Sequence, residues 1–163
     1  MKTAYFAGGC FWCIAAVFDV TPGVVAVTSG YCGGTEKDPA YADVKAQKTG
    51  HRETVRVDYD ETVTDFAALL QTLFAHTDPH DGAGQFIDRG RSYSLAVYYG
   101  NGVEKAIAEQ AVSALEKETG LPVYVAVEPF TVFYPAEEYH QNYHKKHPRE
   151  MAEEWQKSGR GPI

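Results

Sequence analysis

Read along the chain, the spacing of apolar positions names most of the elements before any chemistry is considered. A short apolar run at 4–7 predicts a first strand, which leads through Gly8 and Gly9 into Cys10-Phe11-Trp12-Cys13. The unbroken apolar segment 14–18 behind it predicts a buried helix. Thr21-Pro22-Gly23 marks a turn. A strand is expected over 24–31, and Gly30, Gly33 and Gly34 around Cys32 indicate a loop with special backbone demands. The stretch 35–50 is polar and irregular, with room for a short helix at 41–47. From 53 to 59, Val55, Val57 and Tyr59 alternate with Thr54, Arg56 and Asp58, the pattern of a strand with one apolar face. Thr64 is placed to cap a helix in which Phe66, Leu69, Leu70, Leu73 and Phe74 fall at i, i+3, i+4, i+7 and i+8.

The segment 77–91 is rich in Asp, Gly and His and reads as a loop longer than most connections in a compact domain. A strand returns at 92–99. Asn101 with Glu104 then forms a capping-box start for a helix carrying Ile107, Ala111, Val112 and Leu115 inward. Gly120 stops that helix and Pro122 prevents its resumption. A last clear strand at 123–127 precedes an aromatic stretch at 130–134 and a polar helical tail over 136–156. The order β-α-β-β-α-β predicts an α+β fold, a ferredoxin-like two-layer sandwich of a mixed sheet with packed helices. Neither repeat nor linker interrupts it, so 1–163 reads as one domain with a helical or irregular tail from about 148.

Composition narrows the function classes. A formal net charge of -7 with no Lys/Arg cluster argues against a nucleic-acid or anionic-membrane surface. No apolar run approaches the ~20 residues that span a bilayer. Nothing near Met1 resembles a signal peptide, and three cysteines are an odd count for a disulfide framework. The expectation is a cytoplasmic, monomeric protein that uses thiols for chemistry.

The chemistry gathers at the first strand-to-helix turn. Gly8 and Gly9 permit a tight turn, which puts Cys10 in the first turn of the helix, where free N–H groups and the helix dipole favour a thiolate. Cys13 lies one turn on, on the same face. His140, His144 and His147 are spaced so that neighbours could share a metal ion, but with no carboxylate or thiol at ligand spacing they read as a solvated helix face. By type alone Phe11 and Trp12 would be core, Glu53 a strand-end carboxylate, Tyr41 and Tyr93 scaffold, and Asp88 a turn former.

A set of motifs changes that assessment. Gly9-Cys10-Phe11-Trp12, Gly30-Tyr31 with Gly33-Gly34, Pro39-Ala40-Tyr41, Gly50-His51-Arg52-Glu53, Asp88 with Gly90 and Tyr93, and Glu138-Tyr139-His140-Gln141-Asn142-Tyr143 occur in one order over most of the chain. In this the sequence resembles the A-type peptide methionine sulfoxide reductases. The resemblance implies that Cys10 attacks the sulfoxide sulfur and that Glu53, kept neutral by burial, protonates the oxygen. Tyr41 and Tyr93 match the hydroxyls that hold that oxygen. Phe11 and Trp12 match an apolar slot for the S-methyl group, with Asp88 and His140 close by. The implied substrate is oxidised methionine, the S epimer at sulfur, free or in proteins. The implied partner is thioredoxin or a similar dithiol reductant, with no cofactor and no metal.

The chain departs from many relatives in having no cysteine in its C-terminal tail, while Cys13 stands where the family often has glycine. Cys10-x-x-Cys13 at a helix start is the spacing of redox dithiols, so Cys13 is expected to resolve the Cys10 sulfenic acid, with Cys32 as competitor and an external thiol as a third route. Two other classes compete with this reading. One is a thioredoxin-like dithiol oxidoreductase, which needs no Glu53. The other is a zinc module using Cys10, Cys13, Cys32 and a histidine.

Overall fold

A computed structural model describes residues 1–160; the last positions of the expected tail, 161–163, lie outside the described residues. Eight strands and six helices follow in order. They are β1 (Lys2–Gly8), α1 (Phe11–Asp19), β2 (Val24–Cys32), α2 (Tyr41–Lys45), β3 (Arg52–Tyr59), α3 (Phe66–Ala75), β4 (Gly84–Gln85), β5 (Asp88–Arg89), β6 (Leu95–Tyr99), α4 (Gly102–Thr119), β7 (Val125–Pro129), β8 (Phe133–Pro135), α5 (Tyr143–Lys146) and α6 (Pro148–Ser158).

Six strands form one mixed sheet in the order β7-β6-β1-β3-β2-β8. Only β6 and β7 run parallel, and they are joined through α4, because a parallel pair needs a crossover. β1 lies centrally, antiparallel to β3 with Phe6 opposite Val55, and antiparallel to β6 with Gly8 opposite Leu95. Alternation along the strands divides the side chains between two faces. Ala4, Phe6, Val55, Val57, Leu95 and Val97 meet Phe18 of α1 and Leu69, Leu70 and Leu73 of α3. The opposite face carries Ala7, Cys32, Ala96 and Tyr98, covered by Phe130 and Phe133, and there Arg52 is tied to the Tyr98 hydroxyl at 3.0 Å and to Glu128 at 2.6 Å.

α1 is apolar around nearly its whole circumference, with Phe11, Cys13, Ile14, Ala15, Ala16, Val17 and Phe18 all buried. Such a helix needs cover on both sides. The sheet supplies one cover and the α5–α6 segment the other, where His144 and Lys145 both reach Asp19 at the end of α1, at 3.2 and 3.0 Å.

Several sequence expectations are corrected. The cap of α3 is Asp65, whose carboxylate accepts from the Ala68 N–H at 2.8 Å; Thr64 lies one residue too early. The 77–91 loop contains the β4–β5 hairpin, and 91–93 is a 3-10 turn rather than the start of β6. The tail is not one helix: left-handed Asn142 and Pro148 divide it into a 3-10 turn at 138–140, α5 and α6. These assignments predict distinct losses on urea unfolding. Asp65→Ala should cost about 1 kcal/mol as a lost cap, and Leu70→Ala ~2–5 kcal/mol as a core cavity.

Candidate active site

The site forms where β1 ends and α1 begins. Gly9 has φ +89, and a Cβ there would run into the Arg160 guanidinium and Gln85, so the turn requires glycine both for its backbone and for close approach. Cys10 is the N-cap of α1, one position before the first helical turn in which the sequence placed it. It is only 6% exposed, and Cys13 is fully buried.

β3 brings Glu53 to the same end of the sheet, opposite Tyr31 on β2 and on the helix-bearing face. Its Oε1 accepts the Phe11 N–H at 3.1 Å, one of the free donors at the start of α1. Oε2 is buried with no partner. Desolvation pushes this carboxyl up to about 8; the negative charge of Asp88 adds to the effect, while the Phe11 N–H, Lys45 and the Tyr93 hydroxyl oppose it. The Tyr93 hydroxyl acts through its proximity and does not close a hydrogen bond to Oε2. Glu53 is therefore mostly protonated at pH 7 and presents an acidic proton with no internal acceptor.

The thiols do not divide as the helix-dipole argument expects. Cys10 is raised well above the usual thiol range by its hydrogen bond with Cys13, then by burial and, when they are ionised, by the charges of Cys13 and Glu53. Cys13 is lowered, mainly by the hydrogen bond from Cys10 and also by the Arg160 charge. The first proton lost from the pair thus comes from Cys13. The physical reason is the hydrogen bond between them, in which Cys10 keeps its proton and Cys13 accepts. Cys10 Sγ and carboxylate oxygens of Asp88 and Glu154 lie within 4.8 Å of one another, and the two carboxylates raise Cys13 against that lowering. These three donors are the group among the described residues that could hold a metal ion. Asp88 is itself raised, by desolvation first and then by Glu154. Cys32 lies on the other face of the sheet, and its thiol is pushed up to about 12, chiefly by burial. The Cys10-Cys13-Cys32-histidine zinc set is therefore not assembled.

Aromatic groups line the approach. Phe11 is buried against Tyr31, Tyr41 and His140, at 5.8, 6.1 and 5.2 Å between ring centroids. Trp12 keeps some exposure and stacks on Tyr143 at 3.9 Å. The Trp12 indole N–H donates to His140 Nδ1 at 3.0 Å, so the neutral ring carries its hydrogen on Nε2, which is buried without a partner. His140 is 1% exposed, not part of a solvated face, while His144 faces Asp19. Tyr41 packs on His140 at 4.2 Å. Desolvation raises the hydroxyls of both Tyr41 and Tyr93, with Glu53 the largest charge acting on each. Cys10, Glu53, Tyr41, Tyr93, Asp88, Trp12 and His140 are thus brought to one region.

The positioning groups are ones that the residue-type argument missed. Glu137 accepts from the Tyr31 hydroxyl at 2.8 Å and from the Tyr41 N–H at 3.1 Å, which fixes the start of α2. Gln47 joins the Tyr41 and Tyr93 segments by two bonds to Ser92, at 2.6 and 3.0 Å. Glu154 and Met151 come from the tail. A capping or periodicity signal marks none of them, although the i, i+3, i+4 spacing of Met151, Glu154 and Trp155 is visible in hindsight.

A buried dithiol beside a neutral carboxyl, on a mixed sheet with packed helices, defines a thiol-dependent oxidoreductase. Comparison with known proteins makes the class specific. A family model described as peptide methionine sulfoxide reductase matches residues 2–160. Peptide methionine sulfoxide reductase MsrA of Halalkalibacterium halodurans is 44% identical over 162 residues, 98% of this chain and 92% of the relative. Methionine sulfoxide reductase A of Corynebacterium diphtheriae superposes with a TM-score of 0.80 at 31% identity, covering 90% of this chain and 75% of that one. Reduced Mxr1 from Saccharomyces cerevisiae gives 0.84 at 27%, covering 91% and 86%. Mxr1 is also solved in complex with Trx2, where the chain aligns at 19% identity with a TM-score of 0.59. The present chain belongs to the peptide methionine sulfoxide reductase family and is an enzyme, an oxidoreductase of the MsrA kind. Among the described residues no helix is long and apolar enough to cross a membrane.

The raised Glu53 carboxyl has a consequence for stability. A proton bound more tightly in the folded state stabilises below the unfolded value of 4.5, and that contribution is lost as pH rises to about 8. Glu53→Gln, neutral at every pH, should therefore gain in urea resistance over the parent chain as pH rises from 5 to 9. Parallel urea curves across that range would refute a buried, raised carboxyl.

Proposed function

We propose that this chain reduces the S epimer of methionine sulfoxide, free or in proteins, through a Cys10 sulfenic acid resolved by Cys13. The observation that carries the reading is the orphaned Oε2 of a neutral Glu53 at the same helix start as Cys10. A sulfoxide presents an electrophilic sulfur and a basic oxygen. Cys13, the first of the pair to ionise, takes the Cys10 proton as the Cys10 sulfur bonds to the substrate sulfur. Glu53 donates its proton to the sulfoxide oxygen, with the Tyr41 and Tyr93 hydroxyls stabilising the charge that develops there. Trp12, with Phe11 behind it, flanks the S-methyl group, while Asp88 and His140 support the surrounding shell. The net step converts sulfoxide and thiol into thioether and Cys10 sulfenic acid. Cys13 then displaces water from that acid to form a disulfide.

The burial of Cys32 beyond the sheet supports Cys13 as the resolving thiol. Thioredoxin or a similar dithiol is the proposed reductant, by analogy with the partner in the Mxr1 complex. No cofactor or metal is called for. Three free cysteines suit the cytoplasm, where the chain would serve in antioxidant repair of proteins. The candidate site is assembled wholly from this chain, which fits a single domain acting as a monomer. We also infer that β6-β1-β3-β2 with α1 and α3 is a ferredoxin-like unit, extended by β7 and β8.

Single-turnover assays with each sulfoxide epimer test the reaction. Cys10→Ser should abolish it, and Glu53→Gln should slow it about 10²–10⁴-fold. A Glu53→Gln enzyme of full rate would remove the general acid from the mechanism. After one turnover, disulfide mapping should find Cys10 joined to Cys13, whereas a Cys10–Cys32 bridge formed in Cys13→Ser protein would reverse the choice of resolving thiol.

A further inference from the structure

The chain contains two methionines, and they sit in opposite surroundings. Met1 is 77% exposed. Met151, on α6, is 6% exposed and packs in one cluster with Cys10 and Cys13, bordered by Trp12, Tyr143 and Trp155. The sole internal methionine of a methionine sulfoxide reductase thus lies against its own redox thiols. The same helix turns Glu154 inward, with a carboxylate oxygen within 4.8 Å of Cys10 Sγ. Two open clefts elsewhere on the molecule, of about 740 and 560 Å³, are not lined by Cys10, Glu53, Tyr41 or Tyr93. At Cys10, the apolar surface is already occupied by a thioether.

We propose that Met151 is a substrate of its own chain: once oxidised, its sulfoxide is reduced in cis by Cys10. This rests on the reaction proposed above and adds a built-in substrate and modification site to it. Thioether packing alone would account for a gap-filling methionine, but that does not explain why the chain's one internal methionine occupies this cluster. α6 is also placed to admit an oxidant. It packs on α1 through the seam of Met151 and Trp155, and Arg160 beyond its end bonds His76 O at 2.6 Å and Gly8 O at 2.9 Å. A surface helix seated on an apolar seam opens at lower cost than the whole domain.

The steps balance. In the open state, hydrogen peroxide transfers one oxygen atom to the Met151 sulfur and leaves as water. On closure, the sulfoxide meets Cys10, whose sulfur takes the oxygen and becomes a sulfenic acid as the thioether is restored. Cys13 then closes the disulfide with loss of water, and an external dithiol reduces it.

The test uses the full chain. Thiols are capped reversibly with methyl methanethiosulfonate, Met151 is oxidised with hydrogen peroxide, and dithiothreitol is added to free the thiols and start the reaction. Mass spectrometry of the Met151 peptide follows the added oxygen, with Cys10→Ser protein in parallel. Peroxide makes both epimers and the enzyme takes one, so about half of the sulfoxide should disappear. The rate should be unchanged over an about 100-fold dilution, as an intramolecular step requires. Cys10→Ser protein should retain the oxygen. Persistence of Met151 sulfoxide in the parent chain, or loss that slows with dilution, would overturn the proposal if the same sample still reduces free methionine sulfoxide. Failure on both substrates would overturn the proposed function as well.

Discussion

The candidate site depends on burying a carboxyl where backbone donors are already available. Glu53 sits at the end of a central strand, beneath the first turn of a helix whose initial N–H groups have no partners of their own, and it takes one of them through Oε1. Burial alone would expel such a group or neutralise it. Here it is neutralised, and its second oxygen is left unpartnered in the interior. A group in that state costs stability and is useful as a proton donor. The nearby tyrosines and thiols feel its charge state directly, since its ionised form raises Tyr41, Tyr93 and Cys10 alike.

The sheet delivers this arrangement through register. β1 is paired on both sides, so its last residue, Gly8, fixes where α1 begins, and β3, its antiparallel neighbour, carries Glu53 to the same end. Alternation puts Glu53 on the helix face and Arg52 on the other, where Arg52 meets Tyr98 and Glu128. Slipping β3 by one residue would exchange the two. That parity also separates Cys32 from Cys10: both are buried, but on opposite sides of a continuous sheet.

The C-terminal segment contributes more than cover. It completes the apolar surroundings of α1, supplies His140 to Trp12 and Tyr41, and places Glu154 and Met151 beside the thiols. Cys10 holds its proton in spite of its place at a helix start because it donates to Cys13, is buried and lies near Glu53. The local field of a helix terminus is a fraction of a charge, whereas Glu53 brings a full one when ionised.

By itself the sequence determined what depends on neighbours along the chain. The apolar periods placed α1, α3 and α4 and the main strands. Gly120 and Asn101 marked the ends of α4, and the spacing of motifs identified the family with Cys10 and Glu53 as its chemical pair. Where the sequence erred locally, as with Thr64 for Asp65, two adjacent residues could each cap and only the backbone dihedrals chose. What the tertiary structure decided are interactions across long chain separations: which face Cys32 occupies, that Glu137 holds Tyr31 and Tyr41, that His140 is buried, and that Met151 rests on the thiols. Periodicity reports which side of an element is apolar, not what meets it. The surroundings of Cys13 are the clearest case: beyond its hydrogen bond with Cys10, the charges that act on it converge from β5, α6 and the chain beyond α6, and no stretch of sequence contains them together.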